Sequence, residues 1–395
     1  MKCSLSPKSI WVPLILFLLI MSGRASAYSA DDTLQNLLPQ DNLPPYFVAI
    51  FDDLMWSKWS PTGDWAGDWQ NDATAFAPEL LFQVDKSIGD APGPFYQRAT
   101  QTGVWEKHLI TTAIQQVLHG QIDTFALFNT AVGTYSFVAC ARYGIGSDAT
   151  DCKAYLRSVL GMANFVLLSP IFQWLHLFDG QEAVLYSRLA FMNVQYYQIT
   201  GLAYYLNSAE ELMAKLERLA DPKSTGLFGG SYFGWDQASP LVAYATLYQV
   251  THNELYLDKA NAMIYALDQS HLLGESGVTE SYWGFTETDA GTGLAYRHLD
   301  SSTHMQYLEA FTILAITTGD PYFLSRADAF KQFALQYLYI PNHNGTVPHF
   351  SHDIAWPVGA SAPGLGQIVF NDAYCTGESF NFLRVVWKLL NYQQQ

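Results

Sequence analysis

Positive charge is scarce in this chain. Its 395 residues carry 20 Lys and Arg against 36 Asp and Glu, a formal net charge of −16, and charged residues of either sign make up only 14% of the whole. So acidic a chain repels phosphates, which excludes nucleic acid and anionic membrane surfaces as expected partners. Cysteine is sparse as well, with four in all. Cys140, Cys152 and Cys375, the three beyond residue 27, do not have the spacing of a zinc site. No Gly-x-Ser-x-Gly occurs, which argues against a serine-hydrolase elbow. Thr288–Gly293 is glycine-rich but matches no phosphate loop. His343, His349, His352 and Asp353 cluster at a spacing that fits no strong ligand signature, so the reading takes no metal and no cofactor. Long apolar runs are absent after the N-terminal segment, and no stable membrane insertion is expected.

What is present is apolar and aromatic. Hydrophobic residues are 49% of the chain and aromatic residues 15%, which rules out disorder. Aromatic faces stack on the apolar faces of sugar rings while carboxylates bind their hydroxyls, although a large aromatic core gives the same statistic. Residues 1–27 read as a leader. Lys2 and Lys8 precede an apolar run from Ile10 to Met21, and Ala25-Ser26-Ala27 supplies a small-x-small cleavage site. The expectation is a secreted or periplasmic protein, cleaved after Ala27, with residues 28–395 forming a single domain. In an oxidising compartment Cys140 and Cys152, which flank a turn-rich stretch, could close a disulfide or stay as buried thiols. Asn344-Gly345-Thr346 is a glycosylation sequon, usable only in a eukaryotic secretory pathway.

A repeat organises the rest. Segments beginning at Thr200, Thr251 and Thr318 align, each with an aromatic at +5 (Tyr205, Tyr256, Phe323), Leu at +6 and Ala at +9. The +5 and +9 positions share one helical face. Before each turn lies a segment apolar nearly all round: Val184–Ile199, Leu241–Val250 and Met305–Ile316. After it lies an amphipathic one, such as the segment carrying Glu210, Glu211, Lys215, Glu217 and Arg218. Each unit therefore reads as a buried inner helix, a tight turn and a half-exposed outer helix. Ile122–Tyr143 with Ala149–Leu168, Glu378–Leu390, Glu106–His119 and Pro45–Trp59 extend the scheme to about eleven helices. The long connections, 222–235, 272–300 and 341–375, fall at the other end of the pairs. Short turns on one rim and long, Gly-, Trp- and His-rich loops on the other predict an all-α fold, an (α/α)6 toroid of six inner and six outer helices with a funnel on the long-loop face. An open solenoid is the alternative. No strand-rich segment long enough for a second domain is expected.

His298-Leu-Asp-Ser-Ser-Thr-His304-Met-Gln-Tyr-Leu-Glu309-Ala-Phe-Thr, running on to Thr318-Gly-Asp, resembles an inner helix of the N-acylglucosamine 2-epimerase and cellobiose 2-epimerase family. The resemblance covers about 40 residues and implies the six-hairpin glycosidase-like toroid and a carbohydrate ligand. The family's next inner helix begins G-H-D-x-E, with a proton-transferring His. Here that stretch reads Gly377-Glu378-Ser379-Phe380-Asn381, so the departure puts the 2-epimerase reaction in doubt.

Glycoside hydrolysis needs one protonated carboxyl and one carboxylate roughly 5–9.5 Å apart. Asp236 and Asp300, each at the start of an inner helix, are the first expected catalytic pair, and Glu378 is the third candidate. Asp is also a preferred helix cap, and Asp236, four residues ahead of Pro240, is the strongest cap candidate. An epimerase would instead use His298 and His304 beside a carbonyl. Tyr282 or Tyr296 could serve a lyase. Trp235 and Trp283 are expected to stack on the sugar, with Arg297 and His298 as further substrate-binding residues and Arg297 favouring a carboxylated ring. The leading expectation is a glycoside hydrolase acting on an oligo- or polysaccharide. The rivals are a sugar epimerase or isomerase, a polysaccharide lyase and a non-catalytic glycan-binding toroid.

Overall fold

The computed structural model describes residues 33–38, 43–60, 63, 65, 70–89, 92–118, 124–169, 182–220, 227–228, 233–269, 282–288, 295–340, 349–351, 353–357, 369–370 and 376–393. Residues 1–27, expected to be a leader, and Cys375 lie outside them. Among the described residues, after a single turn at Leu34–Leu37, twelve α-helices alternate between an outer and an inner layer. The outer helices are α1 (Pro45–Asp53), α3 (Pro94–Leu118), α5 (Ser147–Leu168), α7 (Ala203–Ala220), α9 (Glu254–Gln269) and α11 (Pro321–Phe333). The inner helices are α2 (Gln70–Ile88), α4 (Thr124–Tyr143), α6 (Glu182–Thr200), α8 (Phe233–Thr251), α10 (Ser301–Thr318) and α12 (Thr376–Gln393). Each inner helix packs on the next, and α12 returns to pack on α2. The ring is therefore closed, and the open solenoid is excluded.

The layers follow from the side chains. In α7 the buried positions Tyr205, Ala209, Leu212, Met213 and Leu216 recur at helical spacing, leaving the opposite face to water. In α10 every residue from Ser301 to Ala315 is buried, as an inner helix with neighbours on all sides requires. The repeated Thr has a local task. Thr200, Thr251 and Thr318 each donate a hydroxyl hydrogen bond to the carbonyl four residues back, at 2.7–2.8 Å. Each oxygen also accepts from the backbone N–H two residues on, at 3.0–3.3 Å. One side chain thus ties off the last turn of the inner helix and starts the outer one. The intervening residue takes the left-handed conformation, φ 68° at Gly201 and Gly319 and φ 50° at His252. That reversal is cheapest for glycine. Tyr205, Tyr256 and Phe323 then bury at +5, and Ala209, Ala260 and Ala327 at +9. A disulfide joins Cys140 in α4 to Cys152 in α5, with their Cα atoms 6.0 Å apart, across another such turn.

Three expectations need correction. The inner helix α2 was not legible, and α6, α8 and α10 begin earlier than their apolar stretches suggested. Part of the long connections is not loop. β1 (Tyr282–Thr288), β2 (Ala295–Asp300), β5 (Asp353–Pro357) and β6 (Val369–Phe370) form an antiparallel sheet in the order β1-β2-β5-β6, while β3 (Tyr339–Ile340) and β4 (His349–Phe350) pair separately. The sheet is built from the connections α9–α10 and α11–α12, and β2 runs straight into α10. Among the described residues no helix is long and apolar enough to cross a membrane.

Along the ring axis, at the short-turn end, is a cavity of about 750 Å³ to which all six inner helices contribute, including Gln83, Arg142, Gln195, Gln249, Thr312 and Lys388.

Candidate functional site

The cavity identifies the axial face of each inner helix. Stepping back by three or four residues from its lining side chains follows the same face toward the long-connection end. On α8 the steps from Val250 pass Thr246, Ala243 and Ser239 to Asp236. On α12 they run from Lys388 through Val385 and Asn381 to Glu378. On α6 they lead from Gln195 through Phe191 to Arg188. Asp236 and Glu378 thus lie on the axial faces of α8 and α12, in their first turns, and both are buried. Helix α10 separates these two helices in the ring.

Beneath them a polar layer crosses the ring. Arg188 Nε donates to Ser239 Oγ at 3.2 Å and its Nη1 to the Tyr135 hydroxyl at 3.3 Å. Ser239 donates to Gln306 Oε1 at 2.6 Å. Tyr307, whose ring packs against Phe330, is pushed well above the ordinary tyrosine range by burial and then by the Asp236 charge.

One layer further down, Arg384 is completely buried in a charge cluster. Its Nη1 and Nη2 donate to Glu309 Oε1 and Oε2, both at 2.7 Å. Nη1 also reaches Glu79 Oε2 at 2.9 Å, and Nη2 reaches Asn381 Oδ1 at 2.7 Å. Phe76 and Tyr135 cover the guanidinium, 5.1 and 5.4 Å from its carbon. Lys388 adds a bond to Glu79 at 2.9 Å. Burial by itself would raise Glu79, but Lys388 and Arg384 more than reverse that and hold its carboxyl at about 2.

The expected residues separate into groups. Asp300 is not placed like Asp236: it is the N-cap of α10. Its Oδ2 accepts from Thr303 N and from Thr303 Oγ1, both at 2.7 Å, and from Trp235 Nε1 at 2.6 Å. The cap reading, strongest in the sequence for Asp236, thus applies to Asp300. His304 faces outward. Its ring stacks on Phe333 and tilts against Phe330, with centroids 5.1 and 4.8 Å away, and Nε2 meets the Phe330 carbonyl at 2.8 Å. The expectation of His304 as a proton-transferring residue is therefore corrected: its side chain belongs to the α10–α11 contact. Trp283 lies in β1, and Arg297 and His298 lie in β2, where Arg297 pairs with Thr286 and Trp356 and His298 with Ala355. Their side chains fall outside the described residues. Arg188, Tyr135, Ser239 and Gln306 were missed. Single polar residues on nearly all-apolar helices carry no sequence signal unless the axial face is known. Among the described residues no group of three or more His, Cys, Asp or Glu could hold a metal.

Burial lowers His304 to about 4, against a pull upward from its bond to Phe330. Because the folded value lies below the ordinary 6.5, its contribution to stability is intact above about pH 6.5 and is lost as pH falls toward 4. The loss reaches about 3 kcal/mol. Urea unfolding at pH 7 and pH 4.5 should show the wild type losing more stability on acidification than His304→Gln, which cannot titrate. Equal losses would refute the assignment.

No protein-family profile matches the chain, and no curated protein matches it in sequence. Solved structures do. Cellobiose 2-epimerase from Bacillus thermoamylovorans is 11% identical with a TM-score of 0.55, covering 92% of this chain and 98% of that one. A family 88 glycosyl hydrolase from Bacteroides vulgatus is 12% identical with a TM-score of 0.55, covering 91% and 100%. A family 76 glycoside hydrolase from a bovine Bacteroides thetaiotaomicron strain is 10% identical with a TM-score of 0.54, covering 87% and 77%. At such identities the likeness speaks of fold, and it agrees with the closed double ring: the chain is a six-hairpin (α/α)6 toroid.

Proposed function

We propose that the chain is a secreted carbohydrate-active enzyme, a glycoside hydrolase, whose site lies at the long-connection end of the ring axis. The observation that carries the reading is the pair of buried carboxyls, Asp236 and Glu378, on the axial faces of α8 and α12 at their first turns. Two carboxyls facing one site are what glycosidic hydrolysis needs, one to protonate the leaving oxygen and one to act as base or nucleophile. Asp300 acts as a positioning residue, because its bond to Trp235 fixes the indole beside the Asp236 turn. The half-buried Trp235 then offers an aromatic face to a sugar ring. Trp283, Arg297 and His298 belong to the β1–β2 pair, whose second strand runs into α10, and they serve as further substrate contacts. Residues 1–27 direct export and 28–395 form the mature single domain. The fold supports this reading by its likeness to solved hydrolases and epimerases that act on sugars.

Incubating the mature protein with a panel of polysaccharides, followed by mass measurement of the products, tests it. The expected result is fragments whose summed mass exceeds the substrate by one water per cut. Fragments with no water gained would show a lyase, unchanged mass with an altered sugar would show an epimerase, and either would overturn the hydrolase reading.

A further inference from the structure

The axial cavity at the short-turn end is on the opposite rim from the proposed catalytic mouth, and it has the makings of a site of its own. Its volume of about 750 Å³ is within the span of small-molecule pockets. Its walls mix polar and apolar groups, although the helices of the ring are largely apolar. Gln83, Gln195, Gln198 and Gln249 contribute side-chain amides, and Tyr143 a hydroxyl. Thr312 lines it as well, with its hydroxyl buried out of reach of the open space.

The charges around the cavity are also unbalanced. Glu79 and Glu309 are the lining carboxylates, and both are engaged by Arg384 directly behind the wall, Glu79 also by Lys388. Arg142 has no such partner. Its Nη2 donates to Gln195 Oε1 at 2.7 Å and to Gln198 Oε1 at 2.8 Å, both neutral amides, and among the described residues it forms no ion pair. Glu79 lies within its electrostatic reach but is already doubly bonded. Arg142, Lys388 and Arg384 thus face two carboxylates, and Lys86 lines the adjoining depression that shares Gln83, Tyr143, Ile316 and Lys388. In a chain with only 20 bases, this gathers positive charge at one place.

We propose that this bowl is a second binding site, separate from the catalytic mouth, for a polyhydroxylated carboxylate of the size of one or two sugar units, such as a uronic or aldonic acid. Arg142 takes the carboxylate. The amides and Tyr143 meet hydroxyls, and Phe191 and Ile313 supply the apolar wall for the ligand's carbon face.

Calorimetric titration of the mature chain with D-glucuronate, D-gluconate, glucose and inorganic phosphate tests the inference independently of the catalytic reading. Saturable binding of the sugar acids is expected, about tenfold or more tighter than glucose. Arg142→Met should weaken it about tenfold or more, while Arg142→Lys keeps most of it. Ile316→Trp, which fills the bowl without changing its charge, should abolish binding, with the melting transition used to confirm folding. Asp236→Asn should leave it intact. No saturable heat at about 10 mM ligand, equal binding of phosphate or glucose, or binding that survives both Arg142→Met and Ile316→Trp would overturn the proposal. So would loss of binding in Asp236→Asn, which would move the ligand to the mouth.

Discussion

Asp236→Asn and Glu378→Gln are each expected to lower kcat by about 10²–10⁴-fold on the substrate the polysaccharide panel identifies, with little change in KM. Each substitution keeps the shape of a buried side chain and removes only its capacity to give or take a proton. At room temperature a 10³-fold loss corresponds to about 4 kcal/mol of transition-state stabilisation. Neither residue is engaged in the Arg384 cluster one to two turns below, so folding should survive. Asp300→Asn should behave differently. It retains a capping oxygen for Thr303 but weakens the hold on Trp235, so KM should rise more than kcat falls. His304→Gln should keep nearly full turnover, because its ring packs on Phe330 and Phe333 outside the ring of inner helices. If His304→Gln abolished turnover while Asp236→Asn did not, the roles assigned here would be reversed.

Arg384→Met is expected to be the most destabilising single change described. It removes hydrogen bonds to Glu309, Glu79 and Asn381 and leaves two carboxylates in the interior, with Lys388 alone to offset them. Breaking a buried pair from one side costs about 3–5 kcal/mol, because the abandoned charge keeps its desolvation penalty. Changing three charges together, Glu79→Gln, Glu309→Gln and Arg384→Met, should recover much of that loss, since no carboxylate is left unpaired and the only ion remaining in the cluster is the partly exposed Lys388. The cluster also predicts acid sensitivity. Glu79 is held at about 2, below its ordinary 4.5, so its share of stability is complete above about 4.5 and is lost as pH falls toward 2. Denaturant unfolding of the single and triple variants at pH 7 checks the first claim. A single variant as stable as the wild type would show that the cluster is not what ties α2, α10 and α12 together.

Local chemistry explains what could be read in advance. The Thr turns were legible because donor, acceptor and left-handed residue lie within seven positions, and three copies repeat the pattern. The inner helix α2 was not: it carries Pro78 in its interior and matches no copy of the repeat. Strand β2 gave little signal because its second partner, β5, lies more than fifty residues further on, and β1 is an edge strand that pairs with β2 alone. His304 was read from a motif when helical spacing already held the answer. Leu308, Phe311 and Ala315 continue its face toward the outer helix, while Gln306 and Glu309 lie on the axial side. The charge cluster had no sequence signal at all, since Glu79 and Arg384 stand 305 residues apart.

The crystal structure of mature Asp236→Asn soaked with the oligosaccharide that the wild type cleaves tests the central claim most directly. The sugar is expected at the long-connection end of the ring axis, its scissile oxygen between position 236 and Glu378 and one ring against Trp235. A sugar bound anywhere else, or side chains at positions 236 and 378 turned away from it, would contradict the account.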